Sequence, residues 1–421
     1  MSKSDRKHIA IDFGSSSARV MLIEGDSSFE ELYRFEHSPV LIGSTYRWDV
    51  KTLFLKVKNA IDKILEKQIV SSIGICSWGV DYGLISSDGK LFDLPISYRD
   101  LRTEKTIKGN NLKETFFRSA IYPLKINTNY QLMADIQDGR YSRDDSLKFV
   151  MMADLFAYYL TGNIFVEQTN ASTTGLLSLT GKSWDANLIE DIGLKKEMFP
   201  ELIFPGDLIG KYKNVDVVAV CSHDTASAIY AMEDLDDETV FISSGSWVLI
   251  GIVLKKPLVT EAVFNSKFTN ERGYNNSVLL LNNMNGLFVI QRLVAESEGL
   301  TYKEIDSKII SAKNLGQLNL MTLDKPSDMK AQMLNQLKLK DACLFDLART
   351  FYDSLIKEIQ DKIALIENIS NRKITKITLT GGLSKVPYVM ERLQKLYPGG
   401  IKISAKEGAI AGIARVLNGR R

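Results

Sequence analysis

The chain has 421 residues, 45% of them hydrophobic and 25% charged, with a formal net charge of +2. That composition belongs to globular chains, and the length suits about two domains, each with a core of its own. The near balance of charge excludes an electrostatic case for nucleic acid or an acidic membrane surface, and no apolar run is long enough to span a bilayer.

In chain order the first signal is HIAIDFGSSSARVMLIE at 8–24, an apolar strand, a Gly/Ser turn and a returning strand. The polar MSKSDRK before it lacks the apolar core of a signal peptide. DVKTLFLKVKNAIDKILEKQ follows with helical spacing of its apolar residues. SSIGICSWGVDYGLISSDGK at 71–90 is again strand-like, and its Asp-Gly pair supplies the positive φ of a hairpin turn. VVAVCSHDTASAIYAM at 217–232 is a strand running into a helix. ETVFISSGSWVLIGIV at 238–253, the helical DLARTFYDSLIKEIQDKIALIEN and KITLTGG from Lys376 complete the series. Strands mixed with long helices predict an α/β protein. IAIDFGSSSARVMLI and VFISSGSWVLIGIV share one pattern, which predicts two similar domains offering Gly/Ser hairpins to a shared cleft. The acidic EDLDDE at 233–238 is the expected connection, dividing the chain into 1–236 and 237–421. Cys76, Cys221 and Cys343 are odd in number and far apart, which suits free thiols in a reducing cytoplasm and no metal cluster.

Gly/Ser turns suit phosphate, because glycine lets the backbone approach and successive N–H groups surround an anion. DFGSSSAR adds Arg19 for charge and Asp12 at the strand end, where a carboxylate beside phosphates makes sense as a water-mediated partner of Mg²⁺. SSGSW and TGGLSKVP offer further turns for a nucleotide. There is no GxxxxGK[ST] and no GxGxxG, and the letters DFG at 12–14 stand on the wrong element for a protein kinase. SHDTASA has two readings: Asp224 or Thr225 caps the new helix, or Asp224 accepts a hydroxyl proton during phosphoryl transfer beside His223. SWGVDYG offers an indole face at Trp78, close approach at Gly79 and an acceptor at Asp81, with core packing as the plainer reading of Trp78.

Together these segments, with SYRD, TNYQL, YYLTGN, TNASTTG, NNMNGLFVIQR and EGAIAGIARVL, resemble bacterial rhamnulokinases, members of the FGGY carbohydrate kinases within the actin-like ATPase superfamily. The matches keep the family's order over nearly the whole chain. The resemblance implies two ribonuclease H-like ATPase domains flanking a central cleft, with the sugar site and base in the N-terminal domain and nucleotide binding in the C-terminal one. It implies transfer of phosphate from ATP, with Mg²⁺, to O1 of L-rhamnulose, in L-rhamnose catabolism. Asp224 would be the proton acceptor, with Gly79 and His223 on the sugar. Ser15, Ser16, Ser17, Ala18, Arg19 and Ser246 would meet the phosphates. Asn283, Gln291 and Gly382 would complete the nucleotide site, and Asp12 would order magnesium through water. The resemblance further suggests a monomer or weak dimer, in the cytoplasm that the cysteines suit. Against the family's pattern, Ser246 stands for the usual Thr, Leu383 for a third Gly, the stretch near 295–345 is shorter, and the usual C-terminal tail is missing. A kinase of L-fuculose or another ketose, and an actin-like ATPase with a sensing or filament role, are the alternatives; SWGVD and His223-Asp224 speak for the enzyme.

Overall fold

The computed structural model describes residues 6–25, 28–108, 111–142, 146–297, 301–323, 328–404 and 408–419. Residues 1–5 of the N-terminal stretch, Glu407 of EGAIAGIARVL and the two closing arginines lie outside them.

The chain forms two compact units. The first takes the chain up to Ala231, returns for Leu254–Leu279 and ends with the helix Ala409–Gly419; the second takes Met232–Val253 and the chain from Leu280 onward to Ile401–Ile403. The first unit's sheet is built on β1 (Lys7–Phe13), β2 (Ser17–Glu24), β3 (Ser28–Glu36), β4 (Ser72–Ser77), β5 (Leu208–Tyr212) and β6 (Val215–Val218), in the order β5-β6-β4-β1-β2-β3. β1 runs antiparallel to β2 and parallel to β4, and β6 is parallel to β4. β1 and β4 are covered on both faces, so they read as unbroken apolar runs, while β3, at the sheet edge, is charged and exposed. The predicted amphipathic helix is Val50–Leu65, capped by Asp49 and burying Val50, Leu53, Val57, Ile61 and Ile64 at helical spacing.

In the second unit β7 (Thr239–Ser244), β8 (Trp247–Leu254), β9 (Val278–Asn285), β10 (Lys376–Gly381) and β11 (Ile401–Ile403) run in the order β9-β8-β7-β10-β11. β7 is antiparallel to β8 and parallel to β10, and β11 is parallel to β10. This is the β3-β2-β1-β4-β6 order again: a hairpin with a third strand beyond its returning arm and parallel strands beyond its first. The duplication read from the two Gly/Ser hairpins is therefore a duplication of topology. The predicted long helix spans Leu344–Ser370.

The helix Asp224–Ala231 is held from behind. Ser227 Oγ donates to Ala409 O at 2.8 Å, and a Cβ on Gly412 would lie 1.9 Å from Ser227 O, so only glycine allows the helix Ala409–Gly419 to approach this closely. The small residues of TASA thus permit a tight helix–helix contact that fixes where the helix begins.

Candidate functional site

Parallel pairing sets strand ends side by side. Phe13 is level with Ser77, and Ser77 bridges to His223. Trp78 N donates to Phe13 O at 3.1 Å and Ser77 N to Ser222 O at 2.8 Å. One edge of the first unit therefore gathers Asp12, the Gly14–Ser17 turn, Trp78-Gly79 and His223-Asp224, at the carboxyl ends of parallel strands, where α/β sheets bind ligands.

Asp224 is the first residue of the helix Asp224–Ala231 and its carboxylate turns back on the next residue. Its Oδ1 accepts from Thr225 N at 2.6 Å, yet 33% of its side chain stays open. The dense protein around the carboxylate pushes its pKa up to about 6, against a downward pull from His223 and with a further upward push from Asp12. His223 is buried, with Nε2 3.5 Å from Asp224 Oδ1 and Nδ1 3.3 Å from Glu271 Oε2. Burial alone would lower the His223 pKa; Glu271, Asp224 and Glu167 outweigh it and raise it. A Cβ on Gly79 would lie 3.1 Å from His223 Nε2 and 3.0 Å from Thr173 Cγ2, so glycine keeps this spot open.

Val80, next in the loop, holds φ at 66°, a costly conformation for a β-branched residue. Three bonds hold it there: its N–H donates to Thr173 Oγ1, and its carbonyl accepts from Thr128 Oγ1 and Gln131 Nε2. Trp78 is buried against Trp48 at 4.4 Å, in agreement with the core-packing reading. Asp81 is fully buried and accepts both indole N–H groups, from Trp48 at 2.6 Å and Trp78 at 2.9 Å, along with Gln131 Nε2. Burial raises its pKa to about 6 despite those donors.

Gly14 N donates to Ser17 O at 2.9 Å, closing the first hairpin and leaving Ser15, Ser16 and Ser17 partly open. Ala18, expected at the phosphates, is fully buried: its methyl packs in the core and its backbone lies between β1 and β3. Arg19 pairs with Asp12, Nη2 to Oδ2 at 2.7 Å, and Cys76 Sγ donates to Asp12 Oδ1 at 3.5 Å.

The second unit gathers its own predicted group. Gly286 N donates to Ser246 O and Leu287 N to Gly245 O, joining the β7–β8 turn to the start of the helix Phe288–Ala295. Ser246 Oγ reaches Gln291 Oε1 at 3.4 Å. Gly381 holds φ at 89°, where a Cβ would lie 1.9 Å from Ser244 O, and a Cβ on Gly382 would strike Leu287 Cδ1 at 2.2 Å. Leu383, where a third glycine is usual, is a core residue whose N–H donates to Ser244 Oγ. Asn283 lies on β9 with its Oδ1 buried and without a hydrogen-bond partner.

Two acids that sequence reasoning missed organise the first unit's site. Glu271 is the ion partner of His223. Glu167 Oε2 accepts from Ser222 N at 2.9 Å, Ser222 Oγ at 2.7 Å and Thr169 Oγ1 at 2.6 Å, while Oε1 accepts from Thr169 N at 2.9 Å. Their signal was an acid inside FVEQTNAST and KFTNERG, stretches that otherwise read as buried or hydroxyl-rich.

Residues 8–221 match the model of the N-terminal domain of the FGGY family of carbohydrate kinases. The chain belongs to that family. It is 30% identical over 408 residues to a rhamnulokinase of Enterococcus faecalis, covering 90% of this chain and 82% of that one. Its fold is that of the family's sugar kinases, the actin-like ATPase fold. It matches a ligand-bound xylulose kinase of Lactobacillus acidophilus at TM-score 0.78 and 16% identity, over 99% of this chain and 90% of that one. A Plasmodium falciparum glycerol kinase with ADP matches at TM-score 0.77 and 15% identity, over 98% and 90%. This FGGY chain is thus a sugar kinase by family.

Proposed function

We propose that the chain transfers the γ-phosphoryl group of ATP to the O1 hydroxyl of L-rhamnulose, giving ADP and L-rhamnulose 1-phosphate. The observation that carries the reaction type is Asp224: a partly open carboxylate at the carboxyl edge of the sheet, beside a buried histidine whose Nε2 borders the space above Gly79. The rhamnulokinase relative supports the choice of sugar. In this reading Asp224 takes the O1 proton as O1 bonds to phosphorus and the bridging bond to ADP breaks. His223 and Gly79 meet the sugar, with Trp78 and Asp81 shaping the wall behind them. Ser15, Ser16, Ser17 and Arg19 would hold phosphates, with Ser246, Asn283, Gln291 and Gly382 serving the nucleotide.

Among the described residues no cluster of three or more acids, histidines or cysteines could cage a metal. A single carboxylate at Asp12 fits an ion that arrives with the nucleotide and keeps its waters. Magnesium, when bound, would offset phosphate charge, and Arg19 would exchange its bond to Asp12 for a share of that charge.

Asp224 accepts a proton only when ionised, so kcat/KM should rise with pH through about 6. The test is ADP release from MgATP with a ketose panel that includes L-rhamnulose and L-fuculose. Stimulation by L-rhamnulose that is lost in Asp224→Asn is the expected result. Preference for another ketose would overturn the substrate, and no stimulation by any sugar would overturn the reaction.

A further inference from the structure

Glu271 reaches His223 from far along the chain. It stands in the strand Thr269–Arg272, every residue of which is buried. That strand is pinned within the first unit: Arg272 N donates to Ser172 Oγ at 2.9 Å, Asn270 N to Ala120 O at 3.1 Å, and Thr269 Oγ1 accepts from Tyr122 N at 3.1 Å. The carboxylate is thus a fixed feature and not a side chain swinging in solvent. It sits 3.3 Å from Nδ1 but off the hydrogen-bond axis, so the contact is ionic and both atoms keep unspent bonding capacity in a buried place. On the far side of the ring, Nε2 lies 3.5 Å from Asp224 and close to the space above Gly79.

We propose that Glu271 is a positioning residue for phosphoryl transfer, holding the His223 ring by Nδ1 so that Nε2 is presented to Asp224 and to the sugar at Gly79. The proposal rests on the reading of Asp224 as the proton acceptor. Without Glu271 the ring has no acid at Nδ1, and Asp224 at Nε2 is its one remaining carboxylate contact. The acids facing this imidazole are Glu271, Asp224 and Glu167, and Asp12 faces Asp224 in turn. Removing the charge of Glu271 would favour the neutral ring. It would thereby weaken the cation that helps keep Asp224 ionised.

Three histidines in the chain make ¹⁵N-histidine NMR readable. In Glu271→Gln, the His223 titration midpoint should fall by roughly one pH unit or more, as expected for losing an opposite charge at this distance. Sugar-dependent kcat should fall roughly tenfold or more, and the acid limb of kcat/KM should move to higher pH. Glu271→Asp, which keeps the charge, should restore part of both. An unchanged His223 titration in Glu271→Gln overturns the proposal whatever the enzyme does with sugar. An acid limb that stays in place while activity falls also overturns it, since that is plain structural damage. If Asp224→Asn retains turnover, the reading of Asp224 fails separately, and the NMR result still decides whether Glu271 governs His223.

Discussion

Glu167→Gln isolates the acid beneath the Ser222-His223-Asp224 turn. The carboxylate accepts three backbone N–H groups, from Thr169, Asn170 and Ser222, and the hydroxyls of Thr169 and Ser222. Thr169 Oγ1 in turn accepts from His223 N at 3.2 Å, so the carboxylate is one bond removed from the residue beside Asp224. A glutamine of equal size can aim its oxygen at the Ser222 side only by turning its NH₂ toward Thr169 N–H. That buried donor then loses its acceptor, at a cost of about 1–3 kcal/mol. The other bonds fall from charge-assisted to neutral strength, and relief from burying a charge next to Asp154 offsets part of that loss. The net expectation is about 2 kcal/mol, or roughly 4–8 °C in Tm. Scanning calorimetry at neutral pH measures it, alongside kcat for ketose-dependent ADP release, which should fall with the loosened turn. A Tm within about 1 °C of wild type with unchanged kcat would refute the idea that this acid holds the turn.

Gly79→Ala places a methyl within 3.0 Å of Thr173 Cγ2 and 3.1 Å of His223 Nε2. The prediction is a raised KM for the sugar with little change in Tm, measured by steady-state kinetics and thermal melts; an unaltered KM would show the space above Gly79 to be idle. Asp154 accepts from Glu167 N at 3.3 Å, and burial first, then Glu167, holds its pKa well above the carboxylate range. A raised folded pKa means the folded state binds more protons, so stability is present below the ordinary carboxylate value and is lost as pH climbs toward the folded one. Wild-type Tm should therefore decline more steeply than that of Asp154→Asn as pH rises above the ordinary carboxylate range, and parallel curves would contradict the assignment.

Local chemistry made much of the fold legible. The apolar runs of β1 and β4, the Asp-Gly turn, the amphipathic helix Val50–Leu65 and the two matching hairpins all follow from residues close in sequence. The run VVAVC reads as strand to its end, yet β6 stops at Val218 and four residues outside any strand lead to His223. What sequence alone left open was which distant groups meet. Trp78 reads most plainly as core and otherwise as a sugar platform, and the approach of Trp48 and the shared acceptor Asp81 show how it packs. Arg19 reads as a phosphate ligand, yet across the hairpin it is level with Asp12 and pairs with it. Glu271 and Glu167 look like stray charges until the strand Thr269–Arg272 and the Ser222 turn bring their partners to them. Periodicity and turn chemistry act over a few residues, so one chain determines its strands, helices and hairpins by itself. Ion pairs and buried hydrogen bonds join residues tens to hundreds of positions apart, and their energy exists only after packing has removed the water between them.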